Sequence, residues 1–478
     1  MKIQHLITHK FNTFIGIPIL FLIVLQFVGF DGLYGQDSYE YLRYTRAIQD
    51  YIIGGPHPES FYWPVLYPFL GSLLGFTFGN VIMGLQLLTA ISFSLTSIYL
   101  YKTIHLLYPK NPSLVFYYVL IFGLLSPYFL KSGLVVMSDV LASMFIIMTF
   151  YHFFKSYQRK TSFSLVFFFA TCALMTRYAT LLITLPVILL AIYFVFKRRA
   201  FLDILIGGIF SILVCIPFII LQMDNLYEGT SNYFLKSWSF LTYFKSSYET
   251  IDGMQSYGFP NLIFVLSILV HPGFIFIGAP LTGFTLLKLS KKGLTYPQNV
   301  FLISIITYFI FLAGIPFQNI RVLGLLFPLI LLFFYPAFKE LTSIKWIVKY
   351  KYILGITCII IQLALWSYTF KNVYIRTSFE KQLAHSMTYY QGKKLYSFDV
   401  DISLEGRGLN FDYKNMYLEL YNDFKKNDLI LFHPTKFAAQ WKDKNPMLNW
   451  NRLQKDYILK LIKKGPDGWN LYQIIGKR

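Results

Sequence analysis

Runs of about 20 apolar residues recur along this chain from Phe11 to Phe370, and a helix needs about that length to cross the roughly 30 Å hydrocarbon core of a bilayer. Of the 478 residues, 55% are hydrophobic and only 14% are charged, too little polar surface to cover a water-soluble domain of this size. The pattern predicts spans at 11–30, 81–101, 113–130, 134–154, 162–176, 178–196, 201–222, 262–287, 299–317, 322–338 and 352–370. The first run is too long for the core of a signal peptide and reads as a retained helix. The expected fold class is therefore a polytopic α-helical membrane protein of about eleven transmembrane helices, with a small C-terminal α/β domain.

The formal charge of +20 reports topology and anionic lipid rather than nucleic acid. With the N-terminus cytoplasmic, the six inner segments carry seventeen Lys and Arg residues, and the five outer loops carry seven. Lysine and arginine concentrate in cytoplasmic loops, so the bias places the odd-numbered final helix exit, and the tail after it, outside. Residues 1–370 form the transmembrane domain on this reading, with long outer loops at 31–80 and 224–261; residues 371–478 form the extracytoplasmic tail. The first loop contains a predicted helix near Ser38–Tyr51, and the tail alternates strand-like runs Lys394–Val400, Leu429–His433 and Trp469–Ile475 with a helical pattern over Trp450–Lys464. Cys172, Cys215 and Cys358 all fall in apolar runs, without paired or metal-ligand spacing.

Few residues remain that can carry chemistry. Asp37 and Glu40, in Gln36–Asp37–Ser38–Tyr39–Glu40–Tyr41, have the spacing of a helix capping box. The same carboxylate, fixed at a membrane surface, can also take a proton from an incoming hydroxyl. Asp139 sits at the outer end of an apolar helix, where an ionisable group is costly and marks either a function or a cap. Arg177 and Arg321 lie in short outer turns; they read as interfacial anchors or as forks for a phosphate. Lys131 on the same side is a weaker phosphate candidate. Tyr41, His57 and Tyr67 complete the possible contacts in the first loop. No histidine pair has metal-ligand spacing, although Asp31, Asp37 and Glu59 leave room in the first loop for a divalent cation such as Mg²⁺, which needs few protein carboxylates. Nothing in the sequence requires a cofactor.

Taken together, the Gly35–Gln36–Asp37–Ser38 stretch after the first helix, Tyr67–Pro68, Ser138–Asp139, Thr176–Arg177–Tyr178 and the Arg321 helix before a soluble tail resemble the GT-C superfamily of integral membrane glycosyltransferases. Within it the chain is similar to bacterial relatives of dolichyl-phosphate-mannose protein mannosyltransferases and of the lipid A aminoarabinose transferase. The resemblance implies transfer of a sugar from a polyprenyl-phosphate donor to a lipid, glycan or protein acceptor, on the non-cytoplasmic face of a bacterial inner membrane. It puts Asp37 in the place of the catalytic first-loop acid and Asp139 in that of the second acidic position. One departure stands out: the Asp–Glu pair of some relatives is here Asp37–Ser38. Chemically, a lone carboxylate beside the acceptor suits direct displacement with inversion. A transporter or flippase of lipid-linked sugars is the rival reading. Transporters tend to show repeats and midplane polar groups, whereas here no repeat is visible and the ionisable groups gather at one face.

Overall fold

The computed structural model describes residues 2–222, 236–250, 253–271, 273, 281–287 and 293–478. The chain divides into two compact units, one made of Met1–Gly32, Tyr44–Phe244 and Pro260–Lys371, the other of Leu33–Arg43, Lys245–Phe259 and Asn372–Arg478.

The first unit is helical. Its elements are α1 (Lys2–Phe27), the later part of α2 (Gly35–Ile52), α3 (Leu66–Phe78), α4 (Val81–Leu107), α5 (Pro112–Tyr118), α6 (Pro127–Ser132), α7 (Asp139–Arg159), α8 (Ser164–Leu174), α9 (Thr180–Arg198), α10 (Leu202–Gln222), α11 (Asn261–Leu266), α12 (Tyr296–Gly314), α13 (Ile320–Gly324), α14 (Phe327–Leu341) and the first part of α15 (Lys345–Met387). Among the described residues seven helices are long and apolar enough to cross a membrane, and three further apolar helices are shorter. The predicted span 113–130 is broken: α5 runs into a π-helical turn, Val119–Leu124, before α6. Span 134–154 starts five residues late, because the Val136 N–H donates to the Gly32 carbonyl (2.9 Å) and the helix opens only at Asp139. Residues 272 and 274–280 of span 262–287, residues 224–235 and 251–252 of the 224–261 loop, and Lys288, Lys291 and Lys292 of the inner segments lie outside the described residues.

Helix α4 carries many hydroxyls into a buried position and satisfies them locally. Thr89, Ser92, Ser94, Thr96 and Ser97 each donate to the carbonyl four residues earlier, so no buried donor among them is left without an acceptor. Its start is set by Asn80, whose side chain accepts from the Met83 N–H at 3.1 Å. Helix α3 lies inside the predicted first loop and packs against α4 through glycines. A Cβ at Gly84 would fall 2.5 Å from the Gly75 nitrogen and 2.9 Å from the Gly71 carbonyl oxygen. Such close backbone approach needs small residues.

The second unit is built on a five-stranded sheet. Its strands β3 (Lys394–Ser397), β4 (Asp412–Asn415), β5 (Leu429–Phe432), β6 (Tyr457–Lys464) and β7 (Asn470–Lys477) follow the hairpin β1 (Ser247–Thr250) and β2 (Gly253–Ser256) in the chain, and lie in the order β4-β3-β5-β7-β6. β3 is parallel to both β4 and β5, while β7 is antiparallel to β5 and β6. The end of α15 contributes Phe379, Leu383, Ala384 and Met387 to one core with Leu395, Tyr396, Leu429–Phe432 and Trp469. Edge strand β6 carries Lys460, Lys463 and Lys464. It replaces the second half of the helix predicted over Trp450–Lys464: that helix ends at Asp456, and the following Tyr-Ile-Leu run pairs with β7. The β1–β2 hairpin, which the sequence reading left inside a loop, is fastened to the tail by the Met254 N–H donating to the Gln440 carbonyl (3.0 Å) and by Lys444 with Glu249 (3.2 Å).

The α3–α4 crossing generates a stability prediction. Gly84→Ala should lower the melting temperature in detergent, by an amount corresponding to about 1–3 kcal/mol of overpacking. Gly208→Ala in α10, where an added Cβ meets nothing within 4 Å, should leave it unchanged.

Candidate functional site

Each unit holds one ionic cluster. In the first, Asp139 opens α7, where the helix dipole favours a carboxylate. Its residue is 7% exposed, so its charge must be met by protein groups. Arg177, from the turn linking α8 to α9, donates through Nη1 to Oδ1. Arg321, the second residue of α13, reaches Oδ2 with Nε at 3.2 Å and Nη2 at 2.9 Å. The short α13 is itself fixed by Asn319, whose side chain accepts from the Arg321 N–H (3.0 Å). Lys131 on α6 stands over the Tyr128 ring, its Nζ 4.3 Å from the centroid. Burial, and then the positive charge of Arg321, push its ammonium down to about 8. Among the described residues two guanidiniums thus share one carboxylate, with the Lys131 ammonium near enough to feel the charge of Arg321, and the excess positive charge suits an anion with several oxygens.

The second cluster surrounds the start of α2. The helix begins at Gly35, whose φ of +64° is left-handed. Asp37 is therefore a first-turn residue rather than the cap, and Glu40 pairs with Arg43 at 2.9 Å instead of closing a capping box. Residues on either side of Asp37 are tied to the tail. The Tyr39 hydroxyl donates to Glu380 at 2.8 Å, Gln36 Nε2 makes a long 3.5 Å contact to Asp399, and Thr377 Oγ1 donates to the Leu33 carbonyl at 2.7 Å. Glu380 is fully buried and is neutralised by Arg376 Nε at 2.6 Å. Arg376 also reaches Asp399 (3.3 Å), which Lys436 Nζ approaches to 2.6 Å. The sequence reading singled out none of Arg376, Glu380, Asp399 or Lys436. Only the i, i+4 spacing of Arg376 and Glu380 was there to find.

The remaining first-loop candidates lie apart from these ion pairs of the two clusters. Tyr41 and Tyr67 are buried; Tyr67 lies in α3, not in a loop, and its hydroxyl meets Thr89 Oγ1 at 2.8 Å. Exposed His57 places Nδ1 2.9 Å from the Pro58 carbonyl and Nε2 3.0 Å from that of Ile220, against the end of α10. Among the described residues no group of three or more His, Cys, Asp or Glu side chains is gathered as a metal ion would need.

Residues 63–221 match the family model described as dolichyl-phosphate-mannose-protein mannosyltransferase. No curated protein matches the chain by sequence. Among solved structures, ArnT from Cupriavidus metallidurans bound to undecaprenyl phosphate is similar, with a TM-score of 0.61 at 10% identity over 96% of this chain and 98% of that one. Its apo state gives 0.63 over the same shares, also at 10% identity. The Archaeoglobus fulgidus oligosaccharyltransferase in complex with Zn and sulfate gives 0.56 at 13% identity, over 93% of this chain and 69% of that one. The chain is an integral membrane protein with the GT-C fold, the architecture of these membrane glycosyltransferases. A third of it, from the return of the first loop to the end of α10, also carries the sequence pattern of the mannosyltransferase family.

Proposed function

We propose that the protein transfers a sugar from a polyprenyl-phosphate donor to a hydroxyl or amine acceptor on the non-cytoplasmic face of the membrane. The observation that carries this reading is the pairing of Arg177 and Arg321 on the one carboxylate of Asp139, with Lys131 near Arg321, on a fold shared with ArnT. The three cations receive the donor phosphate. Asp139 is a positioning residue: held by both guanidiniums, it aligns them and has no free role as a base. Asp37 is the base. As the acceptor oxygen or nitrogen bonds to the anomeric carbon, its proton passes to the Asp37 carboxylate. The carbon–oxygen bond to phosphate breaks, and the lipid phosphate leaves with the electron pair. A single displacement of this kind inverts the anomeric centre, and the cations offset charge building on the leaving group.

Three outcomes test the proposal. Reporter fusions after Arg199 and at Arg478 should read as cytoplasmic and external respectively; a cytoplasmic tail would overturn the orientation. In transfer from a polyprenyl-phosphate sugar, Asp37→Asn should lose about 10²–10⁴-fold in kcat, since the amide cannot take up a proton, while protein abundance and melting temperature stay near those of the unmodified chain. Normal turnover in that variant would remove Asp37 from the mechanism. Finally, Lys131 is charged below its pKa of about 8 and neutral above it, so its help with a phosphate is present at pH 7 and lost as pH rises. The donor kcat/KM should therefore fall through about pH 8, and Lys131→Arg, which stays charged throughout, should remove the fall. An identical profile in the two proteins would rule out Lys131 as a donor contact.

A further inference from the structure

Strands β3 and β5 are parallel neighbours, and ligands of open α/β sheets bind in the crevice outside the carboxyl ends of such strands. Here Asp399 follows β3 and His433 follows β5 directly. Asp399 is also one of the few non-glycine residues with a left-handed backbone, φ +75°, and strain of that kind gathers at functional positions. Beside these strand ends is a cleft of about 290 Å³ whose lining includes Ile375, Arg376, His433, Lys436, Asp467 and Trp469.

The chemistry of the lining is mixed. His433 Nδ1 accepts from the Lys436 N–H at 3.2 Å, which leaves the Nε2–H as a donor. Gly468, at φ +81°, keeps that donor open, because a Cβ there would lie 2.8 Å from Nε2. Arg376 and Lys436 are already matched by Glu380 and Asp399, and Asp467 adds another acceptor. Unlike the Asp139 cluster, this one has no surplus of positive charge for a phosphate. Donors and acceptors beside the exposed apolar side chain of Ile375, over a floor to which buried Phe379 and Trp469 contribute, fit a neutral polyhydroxylated ring. The volume lies at the small end of ligand pockets and accommodates about one sugar unit.

We infer that this cleft binds a neutral saccharide unit of the acceptor. The inference rests on the proposed transfer reaction, and it adds where the acceptor is held. Two lining or adjoining groups connect to the start of α2: Asp399 through its long contact with Gln36, and Arg376 by way of Glu380, which accepts from Tyr39. An acceptor sugar in the cleft is thereby tied to the helix turn that carries Asp37.

The test is saturation-transfer NMR on the full-length protein in detergent, using neutral methyl glycosides of glucose, galactose, mannose and N-acetylglucosamine as probes. At least one should bind. His433→Leu and, on the exposed rim, Lys436→Met should each weaken it about 2- to 10-fold, the range of one lost hydrogen bond, whereas Lys460→Ala on β6 should not. Melting temperatures of the same samples identify any variant that has simply unfolded, and Lys436→Met keeps the test decisive if His433→Leu does. Absence of binding by every glycoside, or equal binding in all variants, overturns the assignment. So does a transfer assay in which the variants change the KM of the donor rather than of the acceptor. Failure of the transfer reaction itself is read separately, as no product from the unmodified protein with a polyprenyl-phosphate sugar.

Discussion

A carboxylate in an apolar interior must be met by positive charge, and Asp139 is met by two guanidiniums at once. That requirement joins three segments far apart in sequence: the start of α7, the α8–α9 turn and the short helix α13. Each arginine is fixed by the same acid, so neither has to pay separately in side-chain entropy for its alignment. The third cation, Lys131, is pushed down in pKa first by its burial and then by the charge of Arg321.

The two ionic clusters differ in balance rather than in kind. Around Asp139 positive charge exceeds negative; around Glu380 and Asp399 it does not. A surplus selects for an anionic ligand, whereas a balanced set of donors and acceptors selects by hydrogen-bond geometry. Glu380, fully buried yet bonded to both Arg376 and Tyr39, illustrates why such networks are kept whole: removing one member strands the others.

Hydrophobic run length made the helical class, the membrane setting and the small tail domain legible in the sequence, because lipid imposes a minimum length on every crossing. Where a helix is broken or shortened by tertiary contacts, that signal fails. The π-turn at Val119–Leu124 and the late start of α7 are both cases. The chemistry-bearing types Asp37, Asp139, Arg177, Arg321 and Lys131 were visible as charges out of place. Their partners were not: Asp139 and Arg321 are 182 positions apart, and no local pattern encodes such a meeting. The tail ion network escaped notice because Arg376, Glu380, Asp399 and Lys436 look like ordinary surface charges until their pairing is known. The burial of Tyr41 and Tyr67 was equally hidden, since aromatic residues in a long loop suggest exposure to a ligand, and here both are packed into the core.

Helix α3 has 13 residues, which at 1.5 Å per residue is about 20 Å, well short of the hydrocarbon thickness of roughly 30 Å. Its glycines nevertheless press it against α4. A segment too short to hold a place in lipid by itself keeps its position only through its neighbour, so α3 and the 27 residues of α4 form one packing unit, and loosening their glycine contact would release α3 from the bundle.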